Sequence, residues 1–169
     1  MAYTSSQVVQ AVPTGIQSAL VFISSTTIVN GSATQINNCF SATYDNYVIK
    51  FTNLTGPSFG TQIQGRLGTS GTPDTSSVYV NGSTAWGGFG GQMALMNFPN
   101  NAGASVSFGF NLYGPNMANK TWGATEYIYY DSATELRGHY VNTSTQYTDF
   151  TLVNTTITGG TIKIYGLQN

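Results

Sequence analysis

The chain has 169 residues, of which 40% are apolar and only 7% are charged, with a net charge of −1. Ordinary soluble domains carry about 25% charged residues, so here Asn, Thr, Ser, Gln and Gly supply the polar surface. Nucleic-acid binding needs a basic patch to neutralise phosphates, and Lys50, Arg66, Lys120, Arg137 and Lys163 stand singly.

A membrane helix needs about 20 consecutive apolar residues, whereas the longest run, ALVFI at 19–23, has five. No basic segment precedes that run, so it does not read as a signal peptide. Disorder is excluded by eleven Tyr, nine Phe and many Val and Ile, residues that fill cores. One domain is expected at this length.

Residues 1–16, MAYTSSQVVQAVPTGI, form a polar N-terminal arm with Tyr3, Val8, Val9 and Val12 as small apolar anchors. SALVFISSTTI then reads as one bent strand or a strand pair, closed by Asn30-Gly31-Ser32. ATQINNCF follows. YVIKFTNLT at 47–55 puts Tyr47, Ile49 and Phe51 on one face and Val48, Lys50 and Thr52 on the other. TQIQGRLGTSG alternates in the same way, with Ile63, Gly65 and Leu67 together. SVYVNG is a short strand ending in a hairpin-type Asn-Gly.

Residues 82–104 are the least regular, with Gly-Gly pairs around Phe89, and QMALMNF reads as a strand or a helical turn. Five more strand-length segments follow: SVSFGFNLYG, TWGATEYIYYD, TELRGHYVN, YTDFTLVNT and GGTIKIYGL. Eight to ten short strands separated by Gly, Asn and Pro turns predict an all-β fold, an antiparallel β-sandwich of jelly-roll type over 17–169. The final strand should close the sandwich, with Ile162 and Ile164 inward and Lys163 outward, where it discourages edge pairing.

Candidate chemistry is sparse. TELRGHY places Glu135, Arg137 and His139 on one strand face, and a histidine beside a carboxylate is the usual general base. The simpler reading is an outward row of solvated charges, with Leu136, Gly138 and Tyr140 opposite. No G-x-S-x-G nucleophile turn occurs. An acid pair among Asp131, Glu135 and Asp149 would be needed for glycoside hydrolysis, and Asp131 with Glu135 would be too few oxygens for calcium.

Cys39 is alone, so it reads as a small core residue. The six N-x-S/T sequons, at Asn30, Asn53, Asn81, Asn119, Asn142 and Asn154, read as chance in so Asn- and Thr-rich a chain. No catalytic residue, cofactor or metal is therefore assigned. Trp86 and Trp122, each beside glycine, are the candidate glycan contacts, because exposed indoles stack on sugar rings. Tyr127 and Tyr129 share an inward face and read as core, next to Tyr130.

YDNYVIKFTNLTG, then IQGRLGTSGTPDTSSVY and much later GGTIKIYG, resemble a broad group of bacteriophage virion proteins: jelly-roll modules of tail fibres, head fibres and capsid decorations. The matching positions are Tyr44, Tyr47, Asn53, Leu54, Arg66, Leu67, Ser70, Gly71 and 159–166, within a span of 38–166. The resemblance implies a structural, non-enzymatic virion protein. Its partners would be a major capsid protein or another virion protein and copies of itself, commonly in a trimer.

Two placements remain open: a decoration or head appendage on the capsid surface, or a tail fibre that recognises host carbohydrate. The leader at 1–16 is too short for a stalk, which favours the capsid and makes the arm its expected anchor. A cellular carbohydrate-binding module or enzyme is the third reading. The neutral surface points to a defined oligomer, since few charges oppose association.

Overall fold

The computed structural model describes residues 20–56, 61–82, 89–98, 105–129, 133–154 and 156–168. The expected arm at 1–16 lies outside them, as do Tyr3, Val8, Val9 and Val12. The described residues contain no helix. They form thirteen strands: β1 (Leu20–Thr27), β2 (Thr34–Ile36), β3 (Asn46–Thr55), β4 (Gln62–Thr69), β5 (Thr72–Pro73), β6 (Tyr79–Gly82), β7 (Phe89–Gly90), β8 (Met93–Asn97), β9 (Val106–Tyr113), β10 (Thr121–Tyr129), β11 (Ala133–Val141), β12 (Asp149–Leu152) and β13 (Gly159–Leu167).

One sheet has the order β1-β13-β3-β9-β10-β11-β6-β7, and the other has β2-β12-β4-β5 with β8 also on β4. All pairings are antiparallel. Eight of the strands carry the wind. Taken in chain order, β1, β2, β3, β4, β8, β9, β12 and β13 alternate between sheets except at β4 and β8, which pair in the smaller one, and give β1-β13-β3-β9 facing β2-β12-β4-β8. This is the double Greek key of a jelly roll.

The count exceeds the eight to ten expected because two inserts add strands. The β10–β11 hairpin and the β6–β7 pair widen the larger sheet beyond β9, and β5 continues a hairpin from β4. QMALMNF contains strand β8, and LVFISSTT is one strand, β1, with a bulge between Phe22 and Ser24.

The core follows from the alternation. Ile49, Phe51, Phe110, Ile162 and Ile164 of the larger sheet face Ile63, Leu67, Phe150 and Leu152 of the smaller, all buried. Phe51 stacks on Phe108 at 4.4 Å and meets Phe150 edge-on across the sandwich at 6.1 Å. Cys39 is buried, donates its thiol to the Ile36 carbonyl at 3.3 Å, and has its pKa pushed up to about 12 by burial.

The last strand does not end at an edge. β13 lies between β1 and β3, with Lys163 opposite Lys50 and Ser25. Lys163 therefore guards no sheet edge, contrary to expectation; β1 is the strand outside it.

The separated sequence signatures meet in space. The register of β3 against β13 shifts between Gly159 and Thr161, so Asn53-Leu54 bulges opposite Gly159-Gly160. Asn53 adopts φ 51° and Gly160 φ 124°. A side chain at Gly160 would press to 2.7 Å from a Leu54 methyl. Tyr44 packs across Gly166 in the same way, and Tyr47 beside it accepts from the Ser41 amide at 2.7 Å and donates to the Ser41 carbonyl at 2.8 Å.

Ser70 and Gly71 form the two-residue turn from β4 to β5, with φ 52° and 81°, the left-handed pair that a tight hairpin demands. Asp149, fully buried at the start of β12, ties this turn to the rest. Its Oδ2 accepts the Gly71 amide at 2.6 Å. Its Oδ1 accepts the Asn38 amide at 2.8 Å and the Thr148 hydroxyl at 3.0 Å.

Two stability tests follow from this packing. Asp149→Asn turns one acceptor into a donor that faces backbone N–H groups, and should lower unfolding free energy by about 3 kcal/mol in urea titration. Ile164→Ala, at a site with no exposed surface, should cost about 2–5 kcal/mol in the same measurement.

Candidate functional site

The inserts that widen the larger sheet create two recesses, one on each face of β11. Alternation sends Arg137, His139 and Val141 inward and Leu136, Gly138 and Tyr140 outward. This reverses the expected row of solvated charges. His139 keeps 3% of its surface and Arg137 9%, while Leu136 is 64% exposed.

The reversal has a physical cause. The inner face of β11 has polar partners that satisfy these groups, in a cleft of about 150 Å³ lined by Gln62, Asn81, Gly82, Ala94, Arg137 and His139. Arg137 donates to the Ala94 carbonyl at 3.3 Å and lies over the Tyr127 ring at 5.5 Å.

Asn81 orients the histidine. Its Nδ2 donates to the Gln92 carbonyl at 3.0 Å, and its Oδ1 accepts the Ala94 amide at 2.8 Å. Oδ1 therefore faces His139 Nδ1 at 3.1 Å, and Nδ1 carries the proton. Nε2 keeps its lone pair, buried and without a hydrogen-bond partner among the described residues. Burial, and secondarily the Arg137 charge, hold the His139 pKa down at about 4.

A neutral histidine with no described carboxylate against it lacks the orienting acid of a general-base pair. The side chain of Glu135 lies outside the described residues, although its backbone pairs with Tyr127. Asp131 lies outside them entirely. Asp149, weighed as a hydrolytic acid, is consumed by two loop amides and a threonine. Among the described residues no group of three His, Cys, Asp or Glu could hold a metal.

The outer recess is of another kind. Trp122 of β10 stands opposite Tyr113 of β9 and Tyr140 of β11, and Tyr140 stands opposite Val80 of β6. This makes an aromatic row across three strands, ended by Val80 on the fourth. Trp122 is 56% exposed and stacks on Tyr140, with ring centres 4.8 Å apart. Lys120 caps the row: its Nζ donates to Tyr140 Oη at 3.0 Å, and Oη donates to Asn142 at 2.6 Å.

One step along the strands the residues turn small, with Ala124, Gly138 and Gly82 side by side and Asn111 beyond Ala124. One step further stand Glu126 and Leu136, both exposed. A largely apolar depression of about 240 Å³ lies on this face, lined by Val80, Gly82, Gly138 and the Trp122–Tyr140 pair.

Of the candidate glycan contacts, Trp122 is thus solvent-facing and Trp86 lies outside the described residues. Tyr127 is buried core, as expected; the Tyr129 side chain and Tyr130 lie outside the description. Sequence reading missed Tyr140, Gly138 and Gly82. The signal was present in the alternation of TELRGHY, but its two faces were assigned the wrong way round.

Because the folded pKa of His139 lies below its ordinary 6.5, the unfolded chain takes the proton first. Stability from the neutral ring is complete above about pH 6.5 and declines as pH falls to about 4, by roughly 3 kcal/mol. Urea midpoints measured across this range should fall more steeply for the native chain than for His139→Gln.

Compared with known proteins, the chain matches no family model, no curated protein and no solved structure.

Proposed function

We propose that this protein is a non-enzymatic structural subunit of a bacteriophage particle, a jelly-roll decoration or head appendage that binds the capsid surface as an oligomer. The observation that carries this reading is the β3–β13 bulge. The Asn-Leu and Gly-Gly-Thr-Ile-Lys-Ile-Tyr-Gly segments, which resemble those of virion jelly rolls, stand about a hundred residues apart and pack as one feature. The winding of the eight strands supports it as well.

The surface supports assembly. Phe22 on the outermost strand of the larger sheet is 57% exposed and contacts Tyr165 edge-on at 5.7 Å. Aromatic surface of this kind is better covered than left in water. A capsid protein or a second copy in a trimer would cover it without desolvating charges. No catalytic role is assigned, because His139 is held neutral by burial beside Arg137 and Asp149 is occupied by structural bonds.

The tail-fibre alternative, recognition of host carbohydrate, draws on a different observation, the exposed Trp122–Tyr140 stack. The test mixes purified protein with capsids that lack it and with whole host cells, followed by imaging of the particles. The capsid reading expects regular decoration by a sedimenting trimer. It also expects loss of decoration when residues 2–12, which carry Val8, Val9 and Val12, are deleted. Binding to cells but never to capsids would establish the alternative.

A further inference from the structure

Gly138 sits in the middle of β11, paired on both sides, with Ala124 of β10 and Gly82 of β6 as its neighbours. Glycine weakens a strand interior and is kept there for a bulge, a bend or the close approach of another group. None of the internal reasons applies. The β10–β11–β6 register runs without a shift, and Gly138 is not among the residues with positive φ. A side chain at Gly138 would meet no atom of the described residues within 4 Å. Gly123, one strand over and facing inward, shows the contrast, since a side chain there would strike Phe110 at 2.5 Å. What Gly138 leaves room for lies outside the fold.

We infer that the depression over Gly138 and Gly82, walled by Val80 and the Trp122–Tyr140 stack, with Ala124, Leu136 and Glu126 bordering it by strand register, is a binding site for a hexopyranose ring of a neutral glycan. By register the Trp122–Tyr140 row and the Glu126–Leu136 row stand two residues to either side of Ala124 and Gly138, so their Cα rows are about 13 Å apart, and three strands span about 10 Å. Between the wall side chains this leaves a slot for a flat ring resting on glycine backbone.

The slot is apolar where a sugar is apolar. Tyr140 covers one face of the Trp122 indole, and the rest of this 56% exposed ring offers the aromatic surface that carbon-bound hydrogens of a pyranose stack on. Polar groups stand at the rim, where hydroxyls would project: Asn111 at one end of the floor, Glu126 on one wall and the Lys120–Tyr140–Asn142 chain on the other.

A peptide strand is not the occupant. β10 and β11 are hydrogen-bonded on both sides, so the floor has no free edge to extend. Glu126, the acid that the register places beside the depression among the described residues, disfavours a phosphate or a uronic acid. This inference does not rest on the capsid reading; it holds for either virion placement and fails separately from both.

The experiment titrates the full chain with cellotetraose, maltotetraose and chitotetraose at millimolar concentration. Binding is read by saturation-transfer NMR and by tryptophan fluorescence, with a printed glycan array to widen the search. Three proteins are compared: the native chain, Trp122→Ala and Gly138→Leu. Gly138→Leu fills the slot without touching any atom of the described residues near its Cβ, so its melting temperature should stay at or above that of the native chain.

The expected result is saturable binding of at least one glycan, weakened about tenfold by Trp122→Ala, the loss of one stacking face, and abolished by Gly138→Leu. Binding that survives both substitutions, or an array and titrations blank for the native chain, would overturn the inference. A change of sedimenting species in Gly138→Leu with no glycan bound would also overturn it and make the slot a contact between copies.

Discussion

The carboxylate of Asp149 is where three separate pieces of chain are held in one arrangement. It starts β12, reaches the left-handed turn at Ser70-Gly71 and fixes the Asn38 amide beyond β2. Asn38 itself has φ 52°, a conformation that costs free energy unless its surroundings impose it. With no exposed surface, the carboxylate would be costly in isolation. Amide and hydroxyl donors replace the water it gives up, and in return the ends of β2, β4 and β12 are set in register. The smaller sheet is built on those three strands, so the sandwich has a partner for its larger sheet because this acid is satisfied.

Alternation made the strands legible in the sequence. Ile49 and Phe51, Ile63 and Leu67, and Ile162 and Ile164 face the core as their spacing requires. What could not be read was which side of a strand faces in when both sides carry plausible residues. In β11 the outward side holds Leu136 and Tyr140 and the inward side holds Arg137 and His139. Hydrophobicity alone points the wrong way there. The deciding partners, Asn81 and Ala94, come from distant strands whose pairing no local pattern reveals.

Trp122 was legible as an exposed indole beside glycine, whereas its partner Tyr140 and the glycine floor depended on register across β10, β11 and β6. The same limit explains the strand count. Eight strands carry the wind, but short pieces such as β5 and β7 exist only because a neighbour supplies their hydrogen bonds. Length and alternation carry no trace of such two-residue ladders. The bulge of Asn53 against Gly160 shows the converse, in which two motifs far apart in sequence are one local geometry.

The place of β13 has a consequence for synthesis. It supplies the ladder between β1 and β3, so during translation both wait with open flanks until residues 159–167 have left the ribosome. Ile49 and Phe51 lack the cover of β13 for that interval, and contacts so distant along the chain form slowly. The jelly roll therefore has no stable N-terminal half to build upon. Its assembly is a single late event, and a chaperone would find the nascent chain an open, aromatic-rich client until then.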